Sequence, residues 1–296
     1  LRLASGLENI QSGQIIFDKN HLSSNSSQLP PNKRKIGYVF QDCALFPHLN
    51  VIENIYYGLS DNSKKIDLIL KRNNFLQFSS RYPHELSGGQ KQLVALFRAI
   101  ASNPKMILLD EPFSNLDSRL RETLRDQVLH ILKANNITAL LVTHDAKEAM
   151  FMSDYIAVIN NGKLQQFGEP KDLYLRPKNK FVAEFFGEIN VLSGKLVKKQ
   201  LVTLLGNFPF EYNGNSKDLF LVVRSEGFKL VNTLNKTFNK TKKKENIIKS
   251  PNYGKIMEHK FLGGNTIVHL SIFNKNNEQH LHVKIPGINY FKKNQF

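Results

Sequence analysis

The sequence predicts an α/β domain with a largely parallel sheet over residues 1–188 and a small all-β domain over residues 189–296. Continuous apolar runs alternate with segments of helical periodicity up to about residue 188, an order typical of a parallel sheet flanked by helices. Beyond that point, short stretches of alternating polarity are separated by turns rich in Asn and Gly, without a long helical pattern. This second pattern is typical of a small barrel.

Local sequence patterns predict each helix and strand of the α/β domain. The run PKMILLD, 104–110, is apolar and ends in an acid, as expected of a fully buried parallel strand, and 138–144 has the same character. Apolar residues at helical spacing predict a helix over 116–134. The other predicted elements are a helix end closed by Gly6 (1–7), strands (13–18 and 35–40), a loop entering a helix (45–59), a short helix (64–78), a helix (146–152) and a hairpin turning at Asn161-Gly162.

Charge and cysteine content limit the classes of function. The net charge of +16 would suit a nucleic-acid partner, but lysines are dispersed along the chain. The one dense basic run, 236–249, has few aromatic residues and is typical of a solvated loop, so we expect no nucleic-acid partner. The single cysteine, Cys43, excludes an internal disulfide framework and fits a reducing compartment. No apolar stretch has the length of a membrane-spanning helix.

Two acids follow the predicted strand 104–110. The carboxyl end of a parallel strand is where α/β folds place ligands, so Asp110 is a candidate Mg²⁺ ligand. Glu111 beside it is a candidate to orient and deprotonate an attacking water. Taken alone, the pair fits a solvated acidic turn better than a catalytic site.

Two further polar residues end predicted strands. His144 follows the strand 138–144 and could hydrogen-bond a γ-phosphate and the attacking water, although it also fits a helix start that Asp145 caps. Gln41 ends the strand 35–40, and its neutral amide could contact Mg²⁺ or the water.

The stretch Ser87-Gly88-Gly89-Gln90 precedes an amphipathic run. Glycines allow backbone N–H groups to approach a phosphate closely, and a helix N-terminus adds a favourable dipole. The alternative is an ordinary loop with a helix cap. The apolar face that follows is expected in the core and consists of Leu93, Leu96, Phe97 and Ile100.

The order and spacing of these motifs together resemble the ATP-binding subunit of ABC transporters over nearly all of residues 1–188. The matching motifs are the Q-loop at Gln41, the signature LSGGQ at 86–90, Walker B at 107–111, the D-loop SNLD at 114–117 and the switch histidine His144. The resemblance implies a P-loop NTPase fold of the ABC type. It also implies a homodimer in which the nucleotide lies between two subunits arranged head to tail, so that 86–90 forms half of a composite site.

The resemblance also implies roles for particular residues, with ATP and Mg²⁺ as cofactors. Glu111 is implied as the catalytic base and His144 as the residue that steadies the γ-phosphate. Asp110 and Gln41 are implied as the metal-binding residues. The implied ATP-binding residues are Ser87, Gly88, Gly89, Gln90, Gln41 and Asp117.

A Walker A loop, G-x-x-x-x-G-K-[ST], does not occur in the 296 residues. In the family that loop immediately precedes a helix similar to LRLASGLE, so its expected place is just before Leu1. We interpret the chain as N-terminally truncated, lacking the first strands and the Walker A loop and inactive by itself. The alternative is a degenerate, non-hydrolysing subunit that pairs with an intact partner.

The predicted all-β domain resembles the C-terminal TOBE domain of importer ATPases, through LFLVVRSEGFKLV and FLGGNTIVHL. The stretch PPNKRKIGYVFQDCALFPHLNVIENIYYGL is most similar to ferric-iron import ATPases. Importers of polyamine, sulfate or thiosulfate, or sugar share much of this sequence and remain alternatives. The scattered histidines, such as His280 and His282, are expected on the surface and not as ligands.

The resemblance further implies partners and a location. The expected partners are a second ATPase subunit, two transmembrane permease subunits and, indirectly, a periplasmic or extracellular substrate-binding protein. The expected location is the cytoplasmic face of the bacterial inner membrane, as a peripheral protein. A soluble ABC ATPase of DNA repair or translation is a further class, disfavoured by the C-terminal β domain and the lack of a coiled-coil insertion.

Overall fold

The structure is a computed structural model that describes residues 1–57, 59, 64–211, 219–230, 250, 252, 254–274 and 277–291. The chain forms two compact units, Leu1–Ile156 and Ala157–Phe296. The domain limits 1–188 and 189–296 remain a prediction. The basic run 236–249 lies outside the described residues.

The first unit alternates helices and strands as the sequence predicts. Its elements are α1 (Arg2–Ser5), β1 (Gln14–Phe17), β2 (Asn20–Ser24), β3 (Ile36–Val39), α2 (Val51–Tyr56), α3 (Lys64–Arg72), α4 (Gly88–Ala101), β4 (Met106–Asp110), α5 (Ser118–Ala134), β5 (Thr138–Val142) and α6 (Ala146–Met152). Short 3₁₀ turns occur at Pro31–Lys33, Leu76–Phe78 and Pro83–Glu85. The predicted helix 64–78 is interrupted because Asn74 adopts a left-handed backbone, with φ of 53°, which ends α3.

A parallel sheet of order β3-β4-β5 lies at the centre of the first unit. Ile107, Leu108 and Leu109 on β4 are each at most 1% exposed, so the continuous apolar run of this strand is fully buried as predicted. The strand β3 pairs with β4 from Ile36↔Met106 onward. All three strands therefore end at the same edge.

The third strand of this sheet is less buried than the sequence predicts. On β5, Leu140 is 46% exposed and Val142 42% exposed, whereas Leu141 packs on the core. Within the described residues β5 pairs with β4 alone, so it is an edge strand. Only one of its faces meets other elements, and an apolar run alone does not reveal this.

Helix α4 forms much of the core of the first unit. It begins at Ser87, whose hydroxyl caps the Gln90 N–H while the Gln90 side chain accepts from the Ser87 N–H, a reciprocal capping box. The predicted apolar face is buried throughout, and the Phe97 ring lies edge-on to Phe75 at 5.0 Å. Burial of such a ring contributes about 2–3 kcal/mol to folding.

The second unit is dominated by antiparallel strands. Its elements are β6 (Ile156–Asn160), which begins at the last residue of the first unit, β7 (Lys163–Gly168), α7 (Pro170–Leu175), α8 (Lys180–Phe185), β8 (Ile189–Val197), β9 (Gln200–Thr203), β10 (Gly206–Pro209), β11 (Leu219–Arg224), β12 (Gly254–Leu262), β13 (Asn265–Asn274) and β14 (Asn277–Pro286). The turn between β6 and β7 is the predicted one, since Asn161 and Gly162 both have positive φ, 48° and 71°.

Two sheets of the second unit share one core. The sheet β10-β9-β8-β11 contributes Leu192, and the sheet β12-β13-β14 contributes Val268, Leu281 and Val283. From Ile189 onward the described residues contain strands and one 3₁₀ turn, Ser225–Gly227, which confirms the predicted all-β character. The barrel remains a prediction.

The buried side chain of Asn190 connects these two sheets by hydrogen bonds. Its Nδ2 donates to the backbone oxygen of His282 at 2.8 Å, and its Oδ1 accepts from the backbone nitrogen of His282 at 2.7 Å. The amide therefore satisfies both backbone groups of one residue on β14 from a position on β8.

Candidate active site

The carboxyl ends of the parallel strands bring four predicted site residues to one edge of the sheet. Gln41 follows β3 and His144 follows β5. Asp110 is the last residue of β4, and Glu111 comes directly after it. Because parallel strands end at the same edge, ligands of α/β folds bind there.

Glu111 lies at the centre of this group. Its Oε1 is 3.3 Å from Nδ1 of His144, and its Oε2 accepts from Nε2 of Gln41 at 3.4 Å. The His144 side chain is 73% exposed and that of Glu111 30% exposed, so the group is open to a ligand. The structure thus joins residues from three different strand ends through one carboxylate.

The backbone at Glu111 is strained. Its φ of 42° lies in the left-handed region, which is uncommon for a residue with a side chain. The Glu111 N–H donates to the Val142 carbonyl oxygen at 3.0 Å, which holds this conformation against β5. Strain of this kind clusters at functional sites.

Ser114 ties Gln41 to the turn after β4. Its hydroxyl accepts from Gln41 Nε2 at 3.3 Å and donates to the Glu111 carbonyl oxygen at 3.0 Å. The hydroxyl therefore supports both the amide and the turn that presents Glu111.

Asp110 has a partner that the sequence pattern does not predict. The Tyr38 hydroxyl donates to Asp110 Oδ2 at 2.6 Å. Burial, and then the Asp110 carboxylate, raise the pKa of Tyr38 well above its ordinary value, so this phenol stays a donor. The signal available in the sequence is a tyrosine inside the strand that pairs with the one before Asp110.

The oxygen atoms at this edge fit Mg²⁺. Asp110 Oδ1 and Gln41 Oε1 accept no hydrogen bond from any residue that the structure describes, while the other polar atom of each side chain is engaged. Carboxylate and amide oxygens are hard ligands of the kind this ion takes. Asp110 and Gln41 are therefore suited to hold the metal, and their role as its ligands remains a prediction.

The loop that carries His144 is braced by its neighbours. Asp145 caps α6 by accepting from the N–H groups of Lys147 and Glu148, so the capping interpretation of this stretch also holds. Thr143 Oγ1 donates to the buried Glu148 at 2.6 Å and accepts from the Asp145 N–H at 3.0 Å. His144 thus stands on a fixed turn.

The remaining predicted ATP-binding residues lie at the starts of α4 and α5. A β-carbon on Gly88 would lie 3.0 Å from Leu116 Cδ2, so the first turn of α4 abuts the stretch that Asp117 follows. Asp117 accepts from the Leu120 N–H at 3.0 Å and caps α5. In the described residues no hydrogen bond or ion pair connects Ser87, Gly88, Gly89, Gln90 or Asp117 with the group around Glu111.

These features define an α/β nucleotide-binding domain, and comparison with known proteins specifies the class. Residues 1–114 match the family model described as ABC transporter. The structure is similar to cbiO1 from Clostridium perfringens, part of the ABC transporter complex cbiONQ, with 27% identity and a TM-score of 0.53 over 59% of this chain and 73% of that one. It also matches the dimeric ATP-binding cassette MJ0796 in a post-hydrolysis state bound to ADP and Pi, with 28% identity and a TM-score of 0.47 over 57% of this chain and 78% of that one.

The match of residues 1–114 supports a transport ATPase of the ABC type, with ATP and Mg²⁺ as the cofactors of that class. Of these two neighbours, MJ0796 is dimeric and cbiO1 is part of a transporter complex. Among the helices that the structure describes, none combines the length and apolar character needed to cross a bilayer.

Proposed function

We propose that this protein is the ATP-hydrolysing subunit of a binding-protein-dependent importer, with ferric iron as the transported species. The observation that best supports ATP hydrolysis is the contact of Glu111 with His144 and Gln41 at the carboxyl edge of the parallel sheet. It combines a carboxylate that can take a proton with two groups that can hold it in place.

In this proposal Glu111 orients an attacking water and accepts its proton, and His144 hydrogen-bonds the γ-phosphate. The exposed imidazole and the half-buried carboxylate leave room for both the water and the phosphate. His144 Nδ1 faces Glu111, so the imidazole can steady the carboxylate while its other nitrogen reaches the phosphate. Positioning and electrostatic stabilisation of this kind dominate phosphoryl transfer.

The metal site in the proposal consists of Asp110 and Gln41. When bound, Mg²⁺ neutralises charge on the phosphate oxygens. Tyr38 orients the Asp110 carboxylate by its hydrogen bond, and Ser114 and Glu111 orient the Gln41 amide through its nitrogen, which leaves an oxygen of each residue free for the ion.

A composite site in a homodimer accounts for Ser87, Gly88, Gly89 and Gln90. These residues open a helix of 14 residues, and a helix N-terminus favours an anion. No hydrogen bond connects them with Glu111 in the described residues, which supports the proposal that they bind the nucleotide held by a second subunit. Asp117 lies at the same proposed interface between the two subunits. Two permease subunits and, indirectly, a substrate-binding protein complete the proposed importer at the cytoplasmic face of the bacterial inner membrane.

The import of ferric iron rests on the resemblance of residues 30–59 to ferric-iron import ATPases. The antiparallel sheets with a common core in the second unit support a TOBE-like domain, which importer ATPases carry. The N-terminal truncation remains a prediction.

The test is uptake by the full-length protein reconstituted with its permease and binding protein in proteoliposomes. We expect ATP-dependent uptake of labelled ferric iron that excess spermidine, sulfate, thiosulfate or maltose does not reduce. The variant Glu122→Gln, an exposed carboxylate on α5, is the control for loss of an acid and should transport normally. Uptake of one of the competing solutes in place of iron would contradict the assignment of the substrate.

A further inference from the structure

The backbone directly after Gln41 makes an unusual turn. Cys43 and Ala44 both adopt left-handed backbone conformations, with φ of 64° and 42°. Neither residue is a glycine, and left-handed residues with side chains cost of order 1–3 kcal/mol each unless their surroundings hold them. The turn therefore needs an external support.

Arg98 on α4 supplies that support. Its two terminal nitrogens donate to the two carbonyl oxygens of the strained residues, at 2.9 Å to Ala44 and 3.0 Å to Cys43. The guanidinium also lies over the Phe46 ring, 5.5 Å from its centroid. Burial lowers the pKa of Arg98 from its ordinary value, as expected of a cation held against protein and not in water.

A second contact joins α4 to the same turn. The Cys43 thiol donates to Oε1 of Gln92, a side chain that is only 4% exposed. Two residues of one helix thus hold both the backbone and the side chain of the turn.

We propose that Arg98 is a positioning residue that fixes the turn after Gln41 and so makes the placement of Gln41 depend on helix α4. The helix begins with Ser87-Gly88-Gly89-Gln90, so a shift at its phosphate-facing end would be passed through Arg98 to the amide beside Glu111. This inference rests on the role of Gln41 in the proposed function.

The planar fork of arginine is essential to this contact. A guanidinium donates to two carbonyl oxygens at once in a fixed geometry, whereas an ammonium is a point charge on a flexible stem. Arg98→Lys keeps the charge and should not restore the turn. This separates positioning from a simple electrostatic effect.

The first test uses Cys43, the only cysteine in the chain, as a reporter that does not depend on hydrolysis. The measured quantity is the rate at which Ellman's reagent labels Cys43 at pH 7.5 in full-length protein. We expect Arg98→Met and Arg98→Lys to raise this rate at least about tenfold, because a thiol released from its contact with Gln92 becomes accessible to the reagent. The control Arg72→Met removes an exposed arginine from α3 and should leave the rate unchanged.

Near-ultraviolet circular dichroism and the melting temperature establish that each variant is folded. A folded Arg98→Met protein that labels at the wild-type rate would overturn the support of the turn by Arg98. If Arg98→Lys alone labels at the wild-type rate, the requirement for a fork is wrong.

The second test is a double-mutant cycle in ATP hydrolysis by the reconstituted transporter. If Arg98 acts through Gln41, then Arg98→Met should lower kcat at least about fivefold in the wild-type background and have no further effect in Gln41→Ala. Additive losses would contradict the positioning role. If Gln41→Ala alone leaves kcat unchanged, the role of Gln41 in the proposed function fails, whereas the labelling result still decides whether Arg98 holds the turn.

Discussion

The imidazole Nδ1 of His144 lies 3.3 Å from the carboxylate Oε1 of Glu111, although the two residues follow different strands. The contact exists because β4 and β5 are parallel neighbours, with Asp110 opposite Val142 in register. Each side chain is exposed enough to meet a ligand. The pair is therefore the most specific geometric feature of the candidate active site.

Removal of the imidazole should slow hydrolysis without unfolding the protein. His144→Ala deletes a 73% exposed side chain, so we expect a change in the free energy of unfolding within about 0.5 kcal/mol. We expect kcat to fall about 10²-fold or more, because positioned hydrogen-bonding groups contribute on this scale. Steady-state ATPase assays measure the effect, and His130→Ala, an exposed histidine on α5, should remain at the wild-type rate. Equal rates in both variants would remove His144 from the mechanism.

A side chain at the start of α4 should impair the proposed composite site. Gly88→Val would place a β-carbon 3.0 Å from Leu116 Cδ2 and cover backbone N–H groups at the helix N-terminus. We expect ATP-induced dimerisation to weaken at least about tenfold, as measured by analytical ultracentrifugation. The control Gly264→Val lies where no neighbour would meet a β-carbon. Normal dimerisation by folded Gly88→Val would argue against contact of this turn with nucleotide.

The second unit offers a test of its own core. Asn190→Ala removes both hydrogen bonds that its buried side chain makes to the His282 backbone. We expect the free energy of unfolding to fall by about 1–3 kcal/mol, since each of the two lost hydrogen bonds contributes about 0.5–1.5 kcal/mol. Urea denaturation measures the loss, with Asn207→Ala on the exposed side of β10 as the control. Faster hydrogen exchange at the His282 amide would locate the effect, and unchanged exchange would contradict it.

The pH dependence of stability should report the burial of Cys43. Its pKa is about 11 in the folded protein against 9.0 as the reference value, so the native state keeps a proton that the unfolded state loses. This contribution to stability is fully present below pH 9 and is lost as the pH rises toward 11. We expect the melting temperature to fall more steeply over this range in the wild type than in Cys43→Ala. Parallel curves would contradict the burial of the thiol.

Much of the fold could be predicted because local pattern and environment agree. The apolar residues Ile107, Leu108 and Leu109 of β4 are fully buried as predicted, and Ser87 with Gln90 predicts the helix start that the structure has. The strand β5 shows the limit, since its apolar residues do not reveal that one face lies open at a sheet edge. Burial of that face depends on neighbours in space that sequence periodicity does not encode.

The same distinction applies to the candidate site. Glu111, His144 and Gln41 could be found because each lies within two residues of the end of a strand. Tyr38 and Arg98 could not, because their roles depend on the pairing of β3 with β4 and on the approach of α4 to the turn after Gln41. Such residues become visible only when distant parts of the chain are brought together.

The central claim is that Glu111 deprotonates the attacking water, and Glu111→Gln tests it most directly. The amide keeps the size of the side chain and can still contact His144, but it cannot accept the proton. In the full-length protein reconstituted with its permease, we predict that single-turnover hydrolysis slows by about 10²–10³-fold while ATP-bound dimers accumulate. Hydrolysis at the rate of the wild type and of the control Glu122→Gln would contradict the account.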